Sequence, residues 1–317
     1  MEAKAETGTS DIAIIGAGMA GLACATRLAA AGLRPVLFDK GRGPGGRMAT
    51  RRAEVHGETV RFDHGAQYFT VRDAGFKNAV AGWKDAGVVA DWPAASDDAV
   101  IGAPSMNAPI HHMADALDVR WATRVDSIES TQEDWLLHIG ARQHLFHKAI
   151  IAVPAEQAAI LLAGHQDGWA SRAEASTSKP CWAVMAVFGN RLPLGDTFRG
   201  NTVSWAARNS AKPGRGGGEH WVIHASPEWS AANIEAGQAD AASAILSAFV
   251  SETGIATQEP LHLAAHRWRF AMADPAPGAP HVWDAGAGLG ACGDWLSGPR
   301  VENAWISGDG LAKAVLG

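Results

Sequence analysis

A glycine-rich turn close to the start of the sequence constrains the fold more than any other feature. A β-branched run at 11–15 leads into the turn, an Ala-rich segment at 19–31 follows, and a second apolar run lies at 35–38. This order predicts a strand, a turn, a helix and a second strand. Such a βαβ unit places two parallel strands in a sheet that is buried on both faces.

The turn also predicts a nucleotide site, because its spacing matches G-x-G-x-x-G. The glycines let backbone approach a pyrophosphate at a helix N-terminus, where free N–H groups and the helix dipole favour negative charge. An acidic residue about 20 positions further on is expected to accept hydrogen bonds from ribose hydroxyls and to repel a ribose phosphate. A tight turn without a ligand is the alternative. The predicted contacts are Gly16, Gly18, Met19, Ala20, Gly21 and Asp39.

Composition excludes several other classes of partner. The net charge of the 317-residue chain is −6, which disfavours nucleic acid and anionic lipid, and no uncharged apolar run reaches the roughly 18 residues of a membrane span. The three cysteines, Cys24, Cys181 and Cys292, have no zinc or redox spacing, so a reducing cytoplasm is expected. The pair His111 and His112 lacks further ligands, and no metal site is predicted.

The rest of the chain alternates between two kinds of pattern. Strand-like pieces around Val125, Leu136 and Leu145 predict a meander, and the run 149–153 predicts a return to the parallel sheet. Alternating segments at 182–188 and 220–224 predict antiparallel strands.

Between and after these strands, composition makes three further predictions. Residues 211–218 are rich in glycine and predict a flexible loop. Residues 238–251 predict a helix that packs on a sheet, and 301–316 predict a C-terminal helix. The polar residues 1–10 are interpreted as a flexible leader.

Together these patterns predict an α/β (α+β) protein in which an antiparallel domain interrupts a Rossmann-type nucleotide domain. The predicted nucleotide domain comprises 11–80, 105–170 and 262–317, and the predicted substrate domain comprises 81–104 and 171–261.

Two further motifs resemble flavoproteins. The segment after Asp39 resembles the G-G-R segment of flavoprotein oxidases and desaturases, which implies cofactor contacts from Lys40, Arg42, Gly46, Arg47 and Met48. A solvated basic loop is the alternative. Near the C-terminus, a Gly-Asp pair resembles the one that binds the ribityl chain and pyrophosphate, and the helix after it is expected to point its N-terminus at the flavin. The implied contacts there are Gly293, Asp294, Val301, Glu302 and Ala304.

These motifs favour FAD over NAD as the cofactor. Cys24 and Cys292 lie in no covalent attachment motif, so the FAD is expected to be bound non-covalently.

The chain as a whole resembles the bacterial renalases, members of the flavin amine oxidase-like superfamily. The similarity covers residues 11–316 and rests on the segments 39–48 (DKGRGPGGRM), 63–69 (DHGAQYF), 205–214 (WAARNSAKPG), 263–268 (LAAHRW) and 292–308 (CGDWLSGPRVENAWISG). Asn303 departs from the glycine expected in some members.

The resemblance implies the p-hydroxybenzoate hydroxylase type of fold and an FAD-dependent oxidase. Renalases of this kind oxidise the 2-dihydro and 6-dihydro isomers of NADH or NADPH, with O₂ as the final acceptor, and release NAD(P)⁺ and hydrogen peroxide. The implied role is metabolite repair. The preferred isomer, the preferred dinucleotide and the oligomeric state stay open.

The same resemblance places the candidate site residues. Gly65, Ala66 and Gln67 are expected in a flavin-facing loop, and Val125 is also assigned to the cofactor. The candidate substrate contacts are Gln67, Tyr68, Trp205, His224, His266 and Trp268, although each tryptophan or histidine is also a candidate core residue. For the basic residues Arg208, Lys212 and Arg215, a solvated loop is preferred to a phosphate contact.

Three other functions compete with this interpretation. An amine oxidase of the common type flanks its substrate with two tyrosines, and this chain has only Tyr68. A flavin-binding protein without turnover would keep the same glycine motifs. A lipid desaturase would need a membrane-binding surface, and no basic amphipathic helix indicates one.

Overall fold

The computed structural model describes residues 11–317, so the predicted leader at 1–10 lies outside the described residues. In chain order the strands are β1 Ile12–Ile15, β2 Val36–Phe38, β3 Thr50–Val55, β4 Glu58–Asp63, β5 Val89–Asp91, β6 Val100–Gly102, β7 Asp118–Arg120, β8 Ser127–Ser130, β9 Trp135–Ile139, β10 Arg142–Phe146, β11 Lys148–Ile151, β12 Thr177–Phe188, β13 Thr197–Phe198, β14 Val203–Arg208, β15 Glu219–Ala225, β16 His262–Asp274, β17 His281–Asp284 and β18 Leu289–Cys292. The α-helices are α1 Met19–Ala30, α2 Ala74–Asp85, α3 Ala108–Ala114, α4 Ala155–Leu162, α5 Asp167–Ala175, α6 Pro227–Ala232, α7 Gln238–Thr253 and α8 Val301–Leu316.

The first sheet carries the predicted βαβ unit. Its strand order is β17-β18-β11-β1-β2-β7, and all neighbours are parallel except the edge strand β17. Ile15 pairs with Phe38 on one side and with Ile151 on the other, which confirms that the chain returns to this sheet after the meander. All four residues of β1 are buried, as expected for a sheet with both faces covered.

Helices α1 and α8 cross in close contact beside this sheet. A Cβ atom on Gly308 would lie 2.0 Å from the carbonyl oxygen of Ala20, so the crossing requires glycine at that point. The contact holds the N-terminal nucleotide unit against the C-terminal helix, although the two segments are far apart in sequence.

The second sheet is antiparallel, with strand order β13-β14-β15-β12-β16. Alternate residues of β12 face opposite sides, since Val184 packs in the cluster that contains Phe249 of α7, whereas Met185 packs in the cluster that contains Phe62 of β4. The antiparallel strands at 182–188 and 220–224 are thus confirmed, as is the packing of the predicted helix on the sheet.

The meander is confirmed as the three-stranded sheet β10-β9-β8. Helices α2 to α5 were not predicted from the sequence. The β5-β6 hairpin contributes Trp92 and Val100 to the core cluster that contains Met19 and Trp205. The division of the chain into the two predicted domains stays a proposal.

The glycine-rich segment 211–218 differs from the prediction. It forms an irregular connection, but Lys212 is 2% exposed and the side chain of Arg215 is 1% exposed. Neither cation is solvated, because both pair with a buried carboxylate described below. The expectation of a solvated loop was therefore wrong.

Candidate active site

One large cavity of about 1090 Å³ lies where segments of both sheets meet. It exceeds the roughly 300–1,000 Å³ that is usual for a single small-molecule site. The predicted site residues that line it are Gly16, Gly18, Met19, Ala20, Asp39, Lys40, Gly46, Arg47, Met48, Gly65, Ala66, Gln67, Tyr68, Val125, Trp205, His224, Trp268, Gly293, Asp294, Val301, Glu302 and Ala304. Three other predicted residues, Gly21, Arg42 and His266, are not part of its lining.

The glycines of the first turn divide into two groups. Gly16 has φ +110°, and a Cβ atom there would lie 2.4 Å from the Ala152 carbonyl oxygen; one on Gly21 would lie 2.0 Å from the Gly16 carbonyl oxygen. The protein's own backbone therefore requires these two glycines. A Cβ atom on Gly18 would have no protein atom within 4 Å, and Gly18 itself lines the cavity. The space beside Gly18 at the start of α1 thus fits a ligand that approaches backbone.

Asp39 closes the same turn. Its Oδ2 accepts a hydrogen bond of 2.8 Å from the Ala17 N–H, and its Oδ1 accepts one of 2.7 Å from Gly41. The carboxylate is half-buried and lines the cavity. Its remaining lone pairs are placed to accept from a ribose, as the sequence predicts.

Arg47 and Asp294 join the two flavin-like motifs directly. The guanidinium donates one hydrogen bond to each carboxylate oxygen, 2.6 Å from Nη1 to Oδ2 and 2.5 Å from Nη2 to Oδ1. A bidentate pair of this kind fixes the orientation of both side chains. Because both residues line the cavity, the pair locks residues 46–48 to the segment before α8.

The N-terminus of α8 also reaches the cavity, through Val301, Glu302 and Ala304. The Glu302 carboxylate points elsewhere, since its Oε1 accepts from the backbone N–H groups of Arg72 and Asp73 at 2.6 and 2.7 Å. The Glu302 carboxylate is therefore not available for the predicted cofactor contact. Only the backbone N–H of Glu302, at the positive end of the helix, could make that contact.

Asn303, which stands where some renalases are expected to have glycine, has a structural role in the turn before α8. Its Nδ2 donates to the Ser297 carbonyl oxygen at 2.9 Å and holds the turn that precedes the helix.

A buried ionic cluster behind the cavity was missed from the sequence. The Asp63 carboxylate is fully buried and accepts from Lys212 Nζ at 3.3 Å and from Arg215 Nη2 at 2.5 Å. Burial alone would raise the pKa of Asp63, but the two cations outweigh it and lower the pKa to about 2. Burial lowers the pKa of Lys212 to about 8, although Asp63 opposes this change. Arg208 forms a separate buried pair with Glu219, and none of Arg208, Lys212 and Arg215, for which a solvated loop was expected, lines the cavity.

The same cluster binds Gln67. Its Oε1 accepts from Lys212 Nζ at 3.2 Å, and its Nε2 donates to the carbonyl oxygens of Asp63 and Gly65. The side-chain amide is therefore engaged within the protein, and its hydrogen bonds do not support the substrate contact expected for Gln67. Gln67 instead connects the buried cations to the loop 63–69, whose Gly65 packs against the Arg47 carbonyl oxygen.

A cluster of histidines and a tryptophan lies where the antiparallel sheet borders the cavity, and His224 and Trp268 of this cluster line the cavity. The His64 carbonyl oxygen accepts from Trp268 Nε1 at 2.9 Å and is 3.2 Å from His224 Nε2. The His266 ring contacts those of His64 and Trp268 at centroid distances of 4.8 and 4.5 Å. Burial lowers the pKa of His64 to about 3 and that of His224 to about 4, and it also lowers the pKa of His266.

Tyr68 and Trp205 form an aromatic surface where the antiparallel sheet borders the cavity. Their ring centroids are 5.5 Å apart. The Arg199 guanidinium lies 4.4 Å from the Trp205 ring centroid, and its Nη2 donates to the Tyr68 hydroxyl at 3.3 Å. Arg199 lines the cavity and was not predicted, because no motif marks it.

The buried histidines predict a pH dependence of stability. In the unfolded chain a histidine binds a proton below about pH 6.5, whereas folded His64 and His224 stay neutral to about pH 3 and 4. The unfolded state then holds more protons, so the free energy of unfolding falls as the pH is lowered from 6.5 to 4.5, by about 1.4 kcal/mol per pH unit and histidine. Urea unfolding at several pH values measures this slope.

The variant His224→Gln should lower that slope by the contribution of one proton, since Gln cannot titrate. The exposed His111 gives the matched control, and His111→Gln should leave the slope unchanged. An unchanged slope in His224→Gln would show that His224 is protonated in the folded protein.

Comparison with known proteins supports the fold. Residues 14–81 match a family described as an NAD(P)-binding Rossmann-like domain. Three solved structures align over nearly their whole length. They are an Exiguobacterium sp. 255-15 protein named "Putative protoporphyrinogen oxidase" (13% identity, 97% of this chain and 99% of that one, TM-score 0.74), a triple mutant of putrescine oxidase (14%, 97% and 98%, 0.72) and a conjugated linoleic acid-producing fatty acid isomerase from P. acnes (10%, 96% and 98%, 0.71).

These similarities establish the fold, a Rossmann-like nucleotide unit combined with antiparallel sheets as in these enzymes. Their names cover a porphyrinogen, a diamine and a fatty acid, so the fold alone does not select a substrate.

Three further predictions concern membrane helices, metal sites and the cysteines. No helix among residues 11–317 is long and apolar enough to cross a membrane. Within the same residues, no group of three or more His, Cys, Asp or Glu side chains has the arrangement of a metal site. Cys24, Cys181 and Cys292 are all free and buried, and burial raises the pKa of Cys181 and Cys292 to about 12.

Proposed function

We propose that this protein is a non-covalent FAD-dependent oxidase whose substrates are dihydro isomers of NAD(P)H. The residues present fit FAD, because Gly18 leaves open space at the start of α1 and the N-terminus of α8 reaches the same cavity. Gly18, Asp39, the Arg47–Asp294 pair and the α8 N-terminus would hold the cofactor. Bound FAD supplies a hydride acceptor that O₂ reoxidises.

We take the side of the cavity that the antiparallel sheet borders as the substrate side. The charge on that side supports the choice of a dihydronicotinamide over an amine as substrate. The acids that line the cavity among the described residues are Asp39, Asp126, Asp294 and Glu302, and none of them belongs to the antiparallel sheet. That side presents Arg199, which has no described carboxylate partner, and Arg269, whose charge is paired with the exposed Glu235. The positive charge there therefore rests mainly on Arg199. A cationic amine would meet repulsion there, whereas a dinucleotide with its phosphates would be attracted.

The protein's part in the reaction is to orient the substrate and exclude water. A dihydropyridine ring nitrogen supplies the electrons that expel hydride, so no general base is needed. Tyr68, Trp205 and Trp268 provide flat surfaces for the ring, and orientation of this kind lowers barriers by roughly 7–11 kcal/mol in favourable systems. Overall, the dihydronicotinamide, O₂ and one proton give NAD(P)⁺ and hydrogen peroxide.

Oxygen consumption distinguishes this proposal from its alternatives. The purified protein, loaded with FAD, should consume O₂ with 2-dihydro-NADH or 6-dihydro-NADH and form equal amounts of hydrogen peroxide and NAD⁺. Putrescine and cyclohexylamine, which represent amine substrates, should give no consumption above background. Consumption with amines alone would indicate an amine oxidase, and no consumption with any reductant would indicate a binding protein.

A further inference from the structure

Arg199 lines the cavity beside Tyr68 and Trp205, and like Lys40, Arg72 and Arg300 in the same lining it has no described ion pair. No described carboxylate lies within ion-pairing distance of it, whereas Arg269 on the same side is paired with Glu235 through two hydrogen bonds of 2.8 and 2.9 Å. The one described hydrogen bond of the Arg199 side chain goes to the Tyr68 hydroxyl. A guanidinium has five N–H donors, so most of them are available to a ligand.

The protein holds Arg199 in this place through a fixed loop. The Glu252 carboxylate, near the end of α7, accepts from three successive backbone N–H groups, those of Asn201, Thr202 and Val203, at 3.2, 2.8 and 3.3 Å. A Cβ atom on Gly200 would lie 2.1 Å from Glu252 Oε2, so the carboxylate packs directly against the glycine backbone. The loop that carries Arg199 is therefore anchored to the antiparallel domain.

The guanidinium is also fixed from its other side. It lies over the ring of Trp205, a residue that is 7% exposed and that contacts Trp92 edge-on at a centroid distance of 6.5 Å. The contact with a buried ring restricts where the guanidinium lies, and its planar fork of N–H donors can bind a phosphate through two parallel hydrogen bonds.

From this arrangement we propose that Arg199 is a specificity residue that binds the substrate phosphate nearest to the nicotinamide ring. The inference rests on the proposed function, since it assumes that the ring packs on the Tyr68 and Trp205 surface. Arg199 thereby selects a dihydronicotinamide that carries a 5′-phosphate over the uncharged riboside.

The kinetic test compares two truncated substrates. The FAD-loaded protein should reduce its flavin with dihydronicotinamide mononucleotide, which keeps one phosphate, at a lower half-saturating concentration than with dihydronicotinamide riboside. Arg199→Met should raise that concentration for the mononucleotide by about 10- to 100-fold, the effect of losing charge-assisted hydrogen bonds, and leave the riboside unchanged. Arg199→Lys, which keeps a charge but not the planar fork, should recover part of the loss.

The matched control is Arg191→Met. Arg191 is an exposed arginine of the same domain that does not line the cavity, and its only described ion pair, with Asp196, is 3.9 Å long. This variant should keep the preference for the phosphate. An equal loss in both variants, or an unchanged preference in Arg199→Met, would overturn the proposal.

A binding measurement separates this inference from the proposed function. Calorimetry with oxidised nicotinamide mononucleotide and nicotinamide riboside reports the phosphate contact without turnover. If no dihydro compound reduces the flavin but the mononucleotide binds in an Arg199-dependent way, the function is wrong and the phosphate site stands. If reduction occurs without any dependence on Arg199 in either assay, the function stands and this inference is wrong.

Discussion

Asp63→Asn should destabilise the folded protein by about 3–5 kcal/mol, the usual result of removing one partner from a buried ion pair. The substitution leaves Lys212 and Arg215 without their shared negative charge, while both side chains stay fully buried. Two adjacent uncompensated cations in a low-dielectric interior are more costly than one. Urea unfolding of the FAD-free protein measures the loss directly.

The control for this prediction is an exposed pair. Lys84 and Asp91 lie 2.6 Å apart, with side chains that are 43% and 66% exposed, so Asp91→Asn should change the free energy of unfolding by at most about 1 kcal/mol. If Asp63→Asn costs no more than Asp91→Asn, the cluster does not stabilise the fold through its charges. Double substitution of Asp63 and Lys212 then reports their coupling.

Gly18→Val should weaken FAD binding strongly without changing the fold. Gly18 has φ −81°, which any residue adopts, and a Cβ atom there meets no protein atom within 4 Å. The new side chain would occupy cavity space at the start of α1, where the cofactor must approach backbone. We expect the dissociation constant for FAD to rise at least 100-fold, which corresponds to a loss of about 2.7 kcal/mol of binding free energy.

Titration of the FAD-free protein with FAD, followed by flavin fluorescence, gives this dissociation constant. Gly168→Val is the matched control, because Gly168 lies in α5 with no atom near its Cβ position and does not line the cavity. It should bind FAD normally. Wild-type affinity in Gly18→Val would place the cofactor elsewhere.

Hydrophobic periodicity and glycine spacing in the sequence predicted those helices and turns whose formation depends on neighbouring residues. The turn at Gly16, the helix that follows it and helix α8 could all be predicted, because periodicity and glycine spacing act within a few residues. The predicted cofactor residues beyond Asp39 rested instead on the resemblance to flavoproteins, and the tertiary fold brings most of them to one cavity.

The ionic cluster could not be predicted, because it depends on tertiary contacts alone. Asp63 and Lys212 are far apart in sequence, and a glycine-rich segment with two cations has the composition of a solvated loop. Arg199 was missed for a related reason. Its place depends on Glu252 in a helix about 50 residues away, a separation that no spacing rule covers.

Anaerobic reduction tests the central proposal most directly. One equivalent of 2-dihydro-NADH, added to the FAD-loaded protein without O₂, should bleach the yellow flavin absorbance and yield one equivalent of NAD⁺. Admission of O₂ should restore the colour with formation of hydrogen peroxide. Bleaching by amines, together with an unchanged spectrum in the presence of both the 2-dihydro and 6-dihydro isomers, would contradict the proposed function.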